Sequence, residues 1–417
     1  MMHRPHPAAL LAAVAVFALV VPVIAQRREE PLPSAAPPVA PTATAADPAT
    51  ATQPASAPDV SVERRAPVTR ENVAARAQRV RARAAEFLLA SQSVEGGWGA
   101  EHGPGVTALV VRALAGEPRI GPRHEAVRRG VAVVLRSQRA DGGIHADSGV
   151  HANYETSVAL SMLAALGKEA PAGAADRAQQ FLLLNQWDES EQKPESDVWY
   201  GGAGYGSGKR PDLSNLQIML DALHDSGLPK DDPAYRKALV FISRCQMRGE
   251  SNDQPFAKGA SDGGFIYSPA NGGESKAVDQ DAEGRTVLRS YGSMTYAGFK
   301  SMIYCGLTRD DPRVKAALAW IQRHWTLDHN PNMPERQSHE GLFYYYHTFA
   351  RALAAGGEDV IEDHVGRRHD WRVELVAKLE SLQRSDGSFV NERDRWMEGL
   401  PSLVTAYAML ALQAAVP

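Results

Sequence analysis

Cysteine is scarce in this chain of 417 residues, which contains only Cys245 and Cys305. Two thiols are too few for a cysteine-rich zinc site. We also expect no disulfide between them. Each is predicted near the end of a different one of two antiparallel helices, so their Cα atoms should lie beyond the roughly 7 Å that a bridge allows.

An excess of positive charge is missing as well, since the formal net charge is -4 at pH 7. Proteins that bind nucleic acid mainly through phosphate contacts carry a basic patch or stripe. We therefore expect no nucleic-acid partner. A local cluster of arginines fits a solvated helix face better than a contact with anionic lipid. It comprises Arg64, Arg65, Arg76, Arg79, Arg81 and Arg83.

Large apolar residues are few between Gln26 and Pro67, where Pro, Ala, Thr and Ser dominate. Such a segment cannot bury enough apolar surface to offset the entropy of ordering, and it is predicted to be a disordered linker. Before it, Arg4 precedes an apolar run from Ala8 to Val21 that ends in Val23-Ile24-Ala25. This is the pattern of an export signal cleaved after Ala25, or of an uncleaved membrane anchor that would tether the protein.

These features divide the chain into three parts. Residues 1–25 are a signal peptide or anchor, residues 26–67 are the linker, and residues 68–417 are the folded domain. The folded domain is expected outside the cytoplasm, in the periplasm, in the cell envelope or anchored to the outer side of a membrane.

A repeated pattern runs through the folded part: an apolar helix end, Gln, three residues, Gly, any residue, and an aromatic or apolar residue. The fullest copy has Gln92, Gly96 and Trp98, and further copies centre on Gln138 and Gln383. Partial copies centre on Gln186 and Gln246. A repeat of about 46 to 60 residues indicates a helical array, because each unit needs its neighbours to bury its apolar face.

Each unit continues into a second helix of small and apolar residues, which gives six helix pairs. Thr recurs near the start of these second helices, and we interpret it as structural. The positions are Thr107, Thr156, Thr295, Thr348 and Thr405. The repeated Gln is expected to cap the ends of neighbouring helices.

The stretch from Phe87 to Trp98 resembles the repeat of squalene and oxidosqualene cyclases. The pattern from about Val68 to Pro417 is similar to the wider group that includes protein prenyltransferase β subunits. The resemblance implies an all-α fold, an α/α toroid of six inner and six outer helices with a ligand cavity at its centre. It says little about the reaction, because one fold hosts several functions.

The acids of a terpenoid cyclase are mostly replaced. In class II enzymes an Asp-x-Asp-Asp run supplies the proton, and the matching stretch here is Asp212-Leu213-Ser214-Asn215. Ser214 stands at the donor position, and a hydroxyl is too weak an acid to protonate an alkene. We expect Asp212 to cap the following helix, with backbone N–H groups near Ser214 and Asn215 holding it ionised. Asp212 remains a candidate acid for a rearranged site.

The zinc site of protein prenyltransferases is also incomplete. His347 matches their zinc-binding His, but Tyr291 and Ser293 replace the other two ligands. One His does not make a zinc site, so His347 is kept only as a catalytic or ligand-binding candidate. Asp279 and Asp281 are weak candidates for a divalent ion. No cofactor is expected.

The remaining candidates are aromatic and polar, and they suit an apolar ligand or a peptide held by stacking and a few hydrogen bonds. The predicted ligand-binding residues are Trp199, Tyr200, Tyr205, Asn215, Tyr291, Tyr296, Tyr345 and His347. Rings that merely fill the barrel would give the same pattern.

The sequence favours an exported binding or scaffold domain for an apolar, isoprenoid-like ligand or a peptide. The alternative is an active terpenoid cyclase or transferase with a rearranged acid site. A thioester-type interaction module lacks its reactive Cys-Gly-Glu-Gln run here.

The linker interpretation predicts that brief digestion with a nonspecific protease cuts between Gln26 and Pro67 and spares the repeat domain, because unpacked backbone is open to cleavage. Mass spectrometry of the fragments locates the cuts. A segment that survives digestion as long as the repeats do would contradict the interpretation.

Overall fold

The computed structural model of the protein describes residues 67–206, 208–280, 284 and 286–417. The predicted signal segment, and all of the predicted linker except Pro67, lie outside this part. The described part contains twelve α-helices. They are α1 (Val73–Ala90), α2 (Pro104–Ala115), α3 (Glu125–Leu135), α4 (Ala152–Leu166), α5 (Ala174–Leu184), α6 (Leu213–Asp225), α7 (Pro233–Cys245), α8 (Gly292–Tyr304), α9 (Pro312–Arg323), α10 (Leu342–Gly356), α11 (Trp371–Leu382) and α12 (Pro401–Ala415).

The even-numbered helices form a closed inner ring. Each packs against the next, from α2 through α4, α6, α8 and α10 to α12, and α12 packs back against α2. The inner helices are apolar on almost every face, as in α12, where twelve of the fifteen residues are buried. A helix of this kind is stable only when protein covers it on all sides. The predicted α/α toroid is confirmed.

The odd-numbered helices form the outer layer and are amphipathic. In α3, for example, the buried residues Ala126, Val127, Gly130 and Val134 lie along one stripe. Helix α1 packs against both α11 and α12, so the first unit of the chain meets the last. The buried stripes therefore face the inner ring, and the polar stripes face solvent.

The repeated Gln side chains link successive outer helices. The Gln186 amide donates to the Gly201 carbonyl and to the Ala234 carbonyl in the first turn of α7, both at 3.0 Å. Gln383 donates in the same way to the Gly387 carbonyl. It also donates to the Val80 carbonyl of α1, where the last unit of the chain meets the first. These acceptors are carbonyls rather than the free N–H groups of a helix start. The expected capping role is therefore wrong, and the Gln is a cross-link between units.

The Gly of each turn is needed where the chain passes the next outer helix. Gly387 has a φ of 88°, and a Cβ there would lie 2.3 Å from the Arg83 carbonyl oxygen. Gly201 has a φ of 76°, and its Cβ would lie 1.8 Å from the Lys237 carbonyl oxygen. Only glycine fits both the positive φ and the close approach.

The recurring threonines of the inner helices form hydrogen bonds with the backbone of the turns that follow the outer helices. The Thr107 hydroxyl bridges the N–H and carbonyl of Trp98, and Thr156 does the same for Ile144. Thr295 and Thr405 accept from the N–H groups of Phe265 and Phe389. The structural interpretation of these four threonines is confirmed.

Two short antiparallel hairpins were not expected from the repeat pattern. One pairs β1 (Ala277–Gln280) with β2 (Thr286–Arg289), with Val278 opposite Leu288. The other pairs β3 (Val360–Glu362) with β4 (Arg368–Asp370) and leads into α11. Both thiols, Cys245 and Cys305, are free. None of the helices in the described part is long and apolar enough to span a membrane.

The cross-link can be tested at Gln186, which is 3% exposed. Gln186→Ala removes the donor from two carbonyls and should lower the free energy of unfolding by about 1–3 kcal/mol. Urea unfolding followed by circular dichroism measures it. The matched control is Gln78→Ala on the exposed face of α1, which should change stability by less than about 0.5 kcal/mol. Equal effects of both variants would contradict the cross-link.

Candidate functional site

Polar residues form a stripe along α6, an inner helix that is otherwise largely apolar. Ser214, Gln217, Asp221 and Asp225 are spaced three or four residues apart, which places their side chains on one face of the helix. Their partners lie on the inner helices α2, α8 and α10. The stripe therefore faces the centre of the ring.

Three basic side chains from other inner helices meet the two aspartates of this stripe. The Lys300 ammonium on α8 lies 2.6 Å from Asp221 Oδ1. Arg351 on α10 donates to the two oxygens of Asp225 at 3.0 and 3.1 Å, and Arg112 on α2 donates to Asp225 Oδ2 at 2.8 Å. The most exposed of these five side chains, that of Asp225, is only 18% exposed. Charge-assisted hydrogen bonds thus connect helices across the ring. We call these five side chains the central ion network.

Tyr344 connects this network to the start of α6. Its hydroxyl lies 3.0 Å from the Ser214 hydroxyl and accepts a hydrogen bond from Gln217 Nε2 at 3.0 Å. Gln217 Oε1 in turn accepts from Lys300 Nζ at 2.6 Å. Ser214, which stands where a cyclase has its acid, is therefore part of a hydrogen-bond chain that ends at Lys300.

A small cavity adjoins the network at the centre of the ring. The space open to the centre of a water-sized sphere is about 20 Å³, which is enough for one water or a group of similar size. The lining combines aliphatic, tyrosyl and charged side chains. It comprises Leu109, Arg112, Tyr154, Val158, Ser161, Ile218, Asp221, Tyr344, His347 and Tyr407.

His347 faces this cavity from α10 and is 7% exposed. Its ring stacks on Tyr407, with 5.6 Å between ring centroids. Burial, and then the nearby positive charge of Arg112, lower the pKa of His347 well below its ordinary value. The imidazole is therefore neutral at physiological pH. Its Nε2 atom has no hydrogen-bond partner in the described part of the protein.

Asp212 is fully buried at the start of α6 and does not line this cavity. One carboxylate oxygen accepts from the Asn215 backbone N–H at 2.9 Å, and the Asn215 side-chain amide donates to both oxygens. The predicted cap is confirmed. Burial outweighs these hydrogen bonds and raises the pKa of Asp212 to about 6, so the carboxyl is mostly ionised only above that pH.

Two further buried acids lie at the starts of inner helices. Glu398 accepts from the backbone N–H groups of Phe343 and Tyr344 at the start of α10, and burial raises its pKa to about 7. Glu155, in the first turn of α4, accepts from the Ala146 N–H, and burial raises its pKa as well. All three acids hold backbone in place.

The predicted aromatic residues fall into separate groups within the described part of the chain. Tyr205 and Tyr291 lie close enough to Asp212 for its charge to contribute to their raised pKa values, although burial is the larger cause. Tyr296 and Tyr345 contact each other with 5.7 Å between ring centroids, and the Tyr345 hydroxyl donates to the Thr326 carbonyl.

Tyr296 and Tyr345 therefore pack between α8, α10 and the segment after α9. Trp199 and Tyr200 lie in the connection from α5 to α6, where Trp199 packs edge-on against Trp187. None of these six rings lines the central cavity, whereas His347 does.

Some candidate metal ligands lie apart from one another, and others fall outside the residues that the structure describes. Tyr291 precedes α8 as its N-cap residue, and Ser293 Oγ accepts from the Asn330 side chain at 3.2 Å. Asp281 and the side chain of Asp279 fall outside the described residues. Among the residues that are described, no three His, Cys, Asp or Glu side chains are grouped to hold a metal ion.

None of the five members of the central ion network is among the site residues predicted from the sequence. Asp221, Lys300, Arg351 and Arg112 each lie about two and a half turns from the start of an inner helix. A single charged residue at the same level of several otherwise apolar helices was therefore the available signal. An isolated Lys or Arg in an apolar helix indicates a buried partner, because unpaired buried charge is costly.

Comparison with known proteins supports the fold. No protein-family model matches the chain, and no curated protein sequence matches it. A ligand-free variant of the type II terpene cyclase MstE from Scytonema has a TM-score of 0.51 at 16% identity, covering 84% of this chain and 99% of that one. Another MstE variant, in complex with its substrate geranylgeranyl dihydroxybenzoate, has a TM-score of 0.50 at 16% identity, covering 83% and 99%.

A novel alpha-amylase from Clostridium perfringens is similar to the same degree, with a TM-score of 0.50 at 13% identity, covering 81% of this chain and 98% of that one. The expected resemblance to terpenoid cyclases is thus confirmed for the fold. Cyclase and amylase share this toroid, so the fold by itself does not select a reaction.

The raised pKa of Asp212 predicts a pH-dependent stability. The folded pKa is about 6, whereas an unfolded aspartate titrates near about 3.9. The stabilisation from protonated Asp212 is therefore complete below about pH 4 and is lost as the pH rises through about 6. Asp212→Asn cannot titrate and still caps the helix, so its stability relative to wild type should improve between about pH 4 and pH 7.

Urea unfolding at both pH values measures this difference. Asp386→Asn is the control, because the Ser388 hydrogen bonds lower the pKa of Asp386 and its stabilisation is lost only as the pH falls. That variant should show no such gain. A pH-independent difference between wild type and Asp212→Asn would contradict the raised pKa.

Proposed function

We propose that the toroid is a non-catalytic binding or scaffold domain for an apolar, isoprenoid-like ligand or a peptide. The observation that carries this proposal is how the side chains of residues 212–215, which match the acid run of the cyclases, are hydrogen-bonded. Ser214 occupies the donor position and is hydrogen-bonded to Tyr344. Asp212 is engaged as a helix cap by Asn215 and not by a second acid. Neither group is arranged to transfer a proton to a substrate at the ring centre.

The placement of the buried acids supports the same proposal. Burial raises the pKa of Asp212 to about 6 and that of Glu398 to about 7, so each can hold a proton, but neither carboxyl lines the central cavity. A proton donor has to reach its substrate. Each acid also accepts hydrogen bonds from backbone N–H groups, which a protonated carboxyl could not accept as well. These acids suit helix capping better than catalysis.

The lining of the central cavity supports an apolar ligand. Tyr154, Tyr344 and Tyr407 offer ring faces and edges, and Val158 and Ile218 offer aliphatic surface. Tyrosine combines stacking with a hydroxyl for a polar end group. MstE, which shares the fold, has been solved with geranylgeranyl dihydroxybenzoate, and this favours an isoprenoid-like ligand by analogy. A long ligand would have to displace some of these rings, because the described cavity is only water-sized.

We also propose that the protein works outside the cytoplasm. The support is the sequence alone: an apolar run from Ala8 to Val21 with a small-residue end at Ala25, followed by a Pro/Ala-rich segment. That combination is typical of an exported domain on a spacer.

Two assays on the same protein test the binding proposal. Purified wild type and Asp212→Asn are incubated with squalene, oxidosqualene and geranylgeranyl dihydroxybenzoate, and the extracts are analysed by mass spectrometry. We expect only unchanged substrate from both. Equilibrium dialysis with geranylgeraniol should show saturable binding that Asp212→Asn retains, because this acid serves as a helix cap.

The matched control separates binding in the ring from adsorption. Val158→Phe fills the cavity and should lower the affinity for geranylgeraniol at least about tenfold, at a stability cost of about 1–3 kcal/mol. Val94→Phe makes the same change at a site that is 91% exposed and should leave binding unchanged. A cyclised product from wild type that is absent with Asp212→Asn would establish the alternative, an active cyclase.

A further inference from the structure

The charges at the ring centre do not balance. Within the described part of the chain, the central ion network contains three basic groups, Arg112, Lys300 and Arg351, and two carboxylates, Asp221 and Asp225. His347 beside them is neutral, as argued from its burial. A buried charge without a counter-charge is costly, since neither water nor an opposite ion compensates it. Burial lowers the pKa of Lys300 to about 8, so below that pH the ring centre has one positive charge more than its own acids can neutralise.

Arg112 and Arg351 carry N–H donors that make no hydrogen bond within the described part of the protein. Arg112 lines the cavity and donates a single hydrogen bond in the described structure, from Nη2 to Asp225. A guanidinium has five N–H donors in a fixed planar fork. The Nε atom of Arg351, a network member outside the cavity lining, is also buried without an acceptor in the described part of the protein. Most buried donors in proteins are satisfied, so unused ones at a cavity point to a missing acceptor.

His347 is a second unsatisfied group among the residues that line this cavity. It lines the cavity and is 93% buried, as its 7% exposure shows, and its Nε2 has no partner among the described residues. A neutral imidazole can carry its proton on Nε2 and donate it to an acceptor in the cavity. The cavity lining thus offers a charged donor on α2 and a neutral imidazole on α10, beside the Asp221 carboxylate, which is paired with Lys300.

The size and sign of the site restrict the ligand. A space of about 20 Å³ for a water-sized sphere admits one water-sized group. A diphosphate is much larger, and a metal cation would be repelled by the excess positive charge. A halide ion or a single carboxylate group has the right charge and size. A carboxylate also suits the planar donors of an arginine.

We infer that the ring centre contains a binding site for a monovalent anionic group, held by Arg112 and by a hydrogen bond from His347. The group is a free halide ion or carboxylate, or the carboxylate end of a larger ligand whose apolar part contacts Tyr154, Tyr344 and Tyr407. The site rests on the central charges, on the donors of Arg112 and His347 and on the size of the cavity, and it does not depend on the binding proposal above.

Chloride-35 NMR on the purified full-length protein tests the site directly. Bound chloride broadens the resonance of the free ion, and we expect excess broadening that saturates with chloride concentration. Formate should reverse it if the site takes free carboxylate. Geranate, an isoprenoid carboxylate, should reverse it at concentrations about tenfold lower than formate if the group belongs to a larger ligand. Geraniol, which lacks the charge, is the neutral comparison.

The variants assign the broadening to the cavity. Arg112→Gln should reduce the excess broadening at least tenfold, whereas the control Arg123→Gln, at a surface arginine paired with Glu169, should leave it unchanged. Circular dichroism and gel filtration verify the fold of each variant. If Arg112→Gln does not fold, His347→Leu decides the question, because it keeps the charges and removes the neutral donor. We expect at least a threefold loss from it.

Absence of saturable broadening in wild type would overturn the inference. Broadening that persists unchanged in folded Arg112→Gln would overturn it as well. If Arg112→Gln does not fold, unchanged broadening in His347→Leu would overturn it instead. Chloride binding without any affinity for geraniol or geranate would leave the anion site standing and count against the isoprenoid proposal. The two proposals can therefore fail separately.

Discussion

The structure depends on one constraint: its inner helices are apolar on nearly every face and must be covered on all sides. Closing the ring, with α12 packed against α2, provides that cover without an exposed end. The glutamine cross-links set the distance between successive outer helices, and Gln383 makes the same contact across the joint, to Val80. The glycine at each turn follows from this closeness, because there is no room for a Cβ beside the next helix.

A closed ring also creates a centre where side chains from non-neighbouring helices meet. Arg112 on α2 and Arg351 on α10 share Asp225 on α6, although these helices are not adjacent in the ring. Such ions are desolvated, and their attraction offsets this cost only when geometry and hydrogen bonding are favourable. The centre is therefore a polar site inside an apolar ring, and its surplus cation and unused donors make it suited to bind an anion.

The cyclase-like stretch shows how one position can serve either structure or chemistry. Asp212 starts α6 and accepts three hydrogen bonds from Asn215. A carboxylate in this role stabilises a helix, whereas a proton donor must be neutral and free to reach its substrate. With Ser214 bonded to Tyr344, the stretch is arranged as a helix start. This is why a shared toroid and a retained acid do not by themselves make a cyclase.

The resemblance to the cyclases implied the closed toroid, and the place of Asp212 before a helix implied its cap. The repeat by itself determined the helical array, the six helix pairs and the structural threonines, because each depends on contacts within a unit or with the next one. It did not determine the central ion network, since Asp221, Lys300 and Arg112 lie on three different helices and meet only when the ring is closed. Nor did it separate Tyr344, which faces the cavity, from Tyr345, which packs between the layers. Adjacent residues on a helix point about 100° apart, and only the placement of the neighbouring helices decides which of them faces the centre.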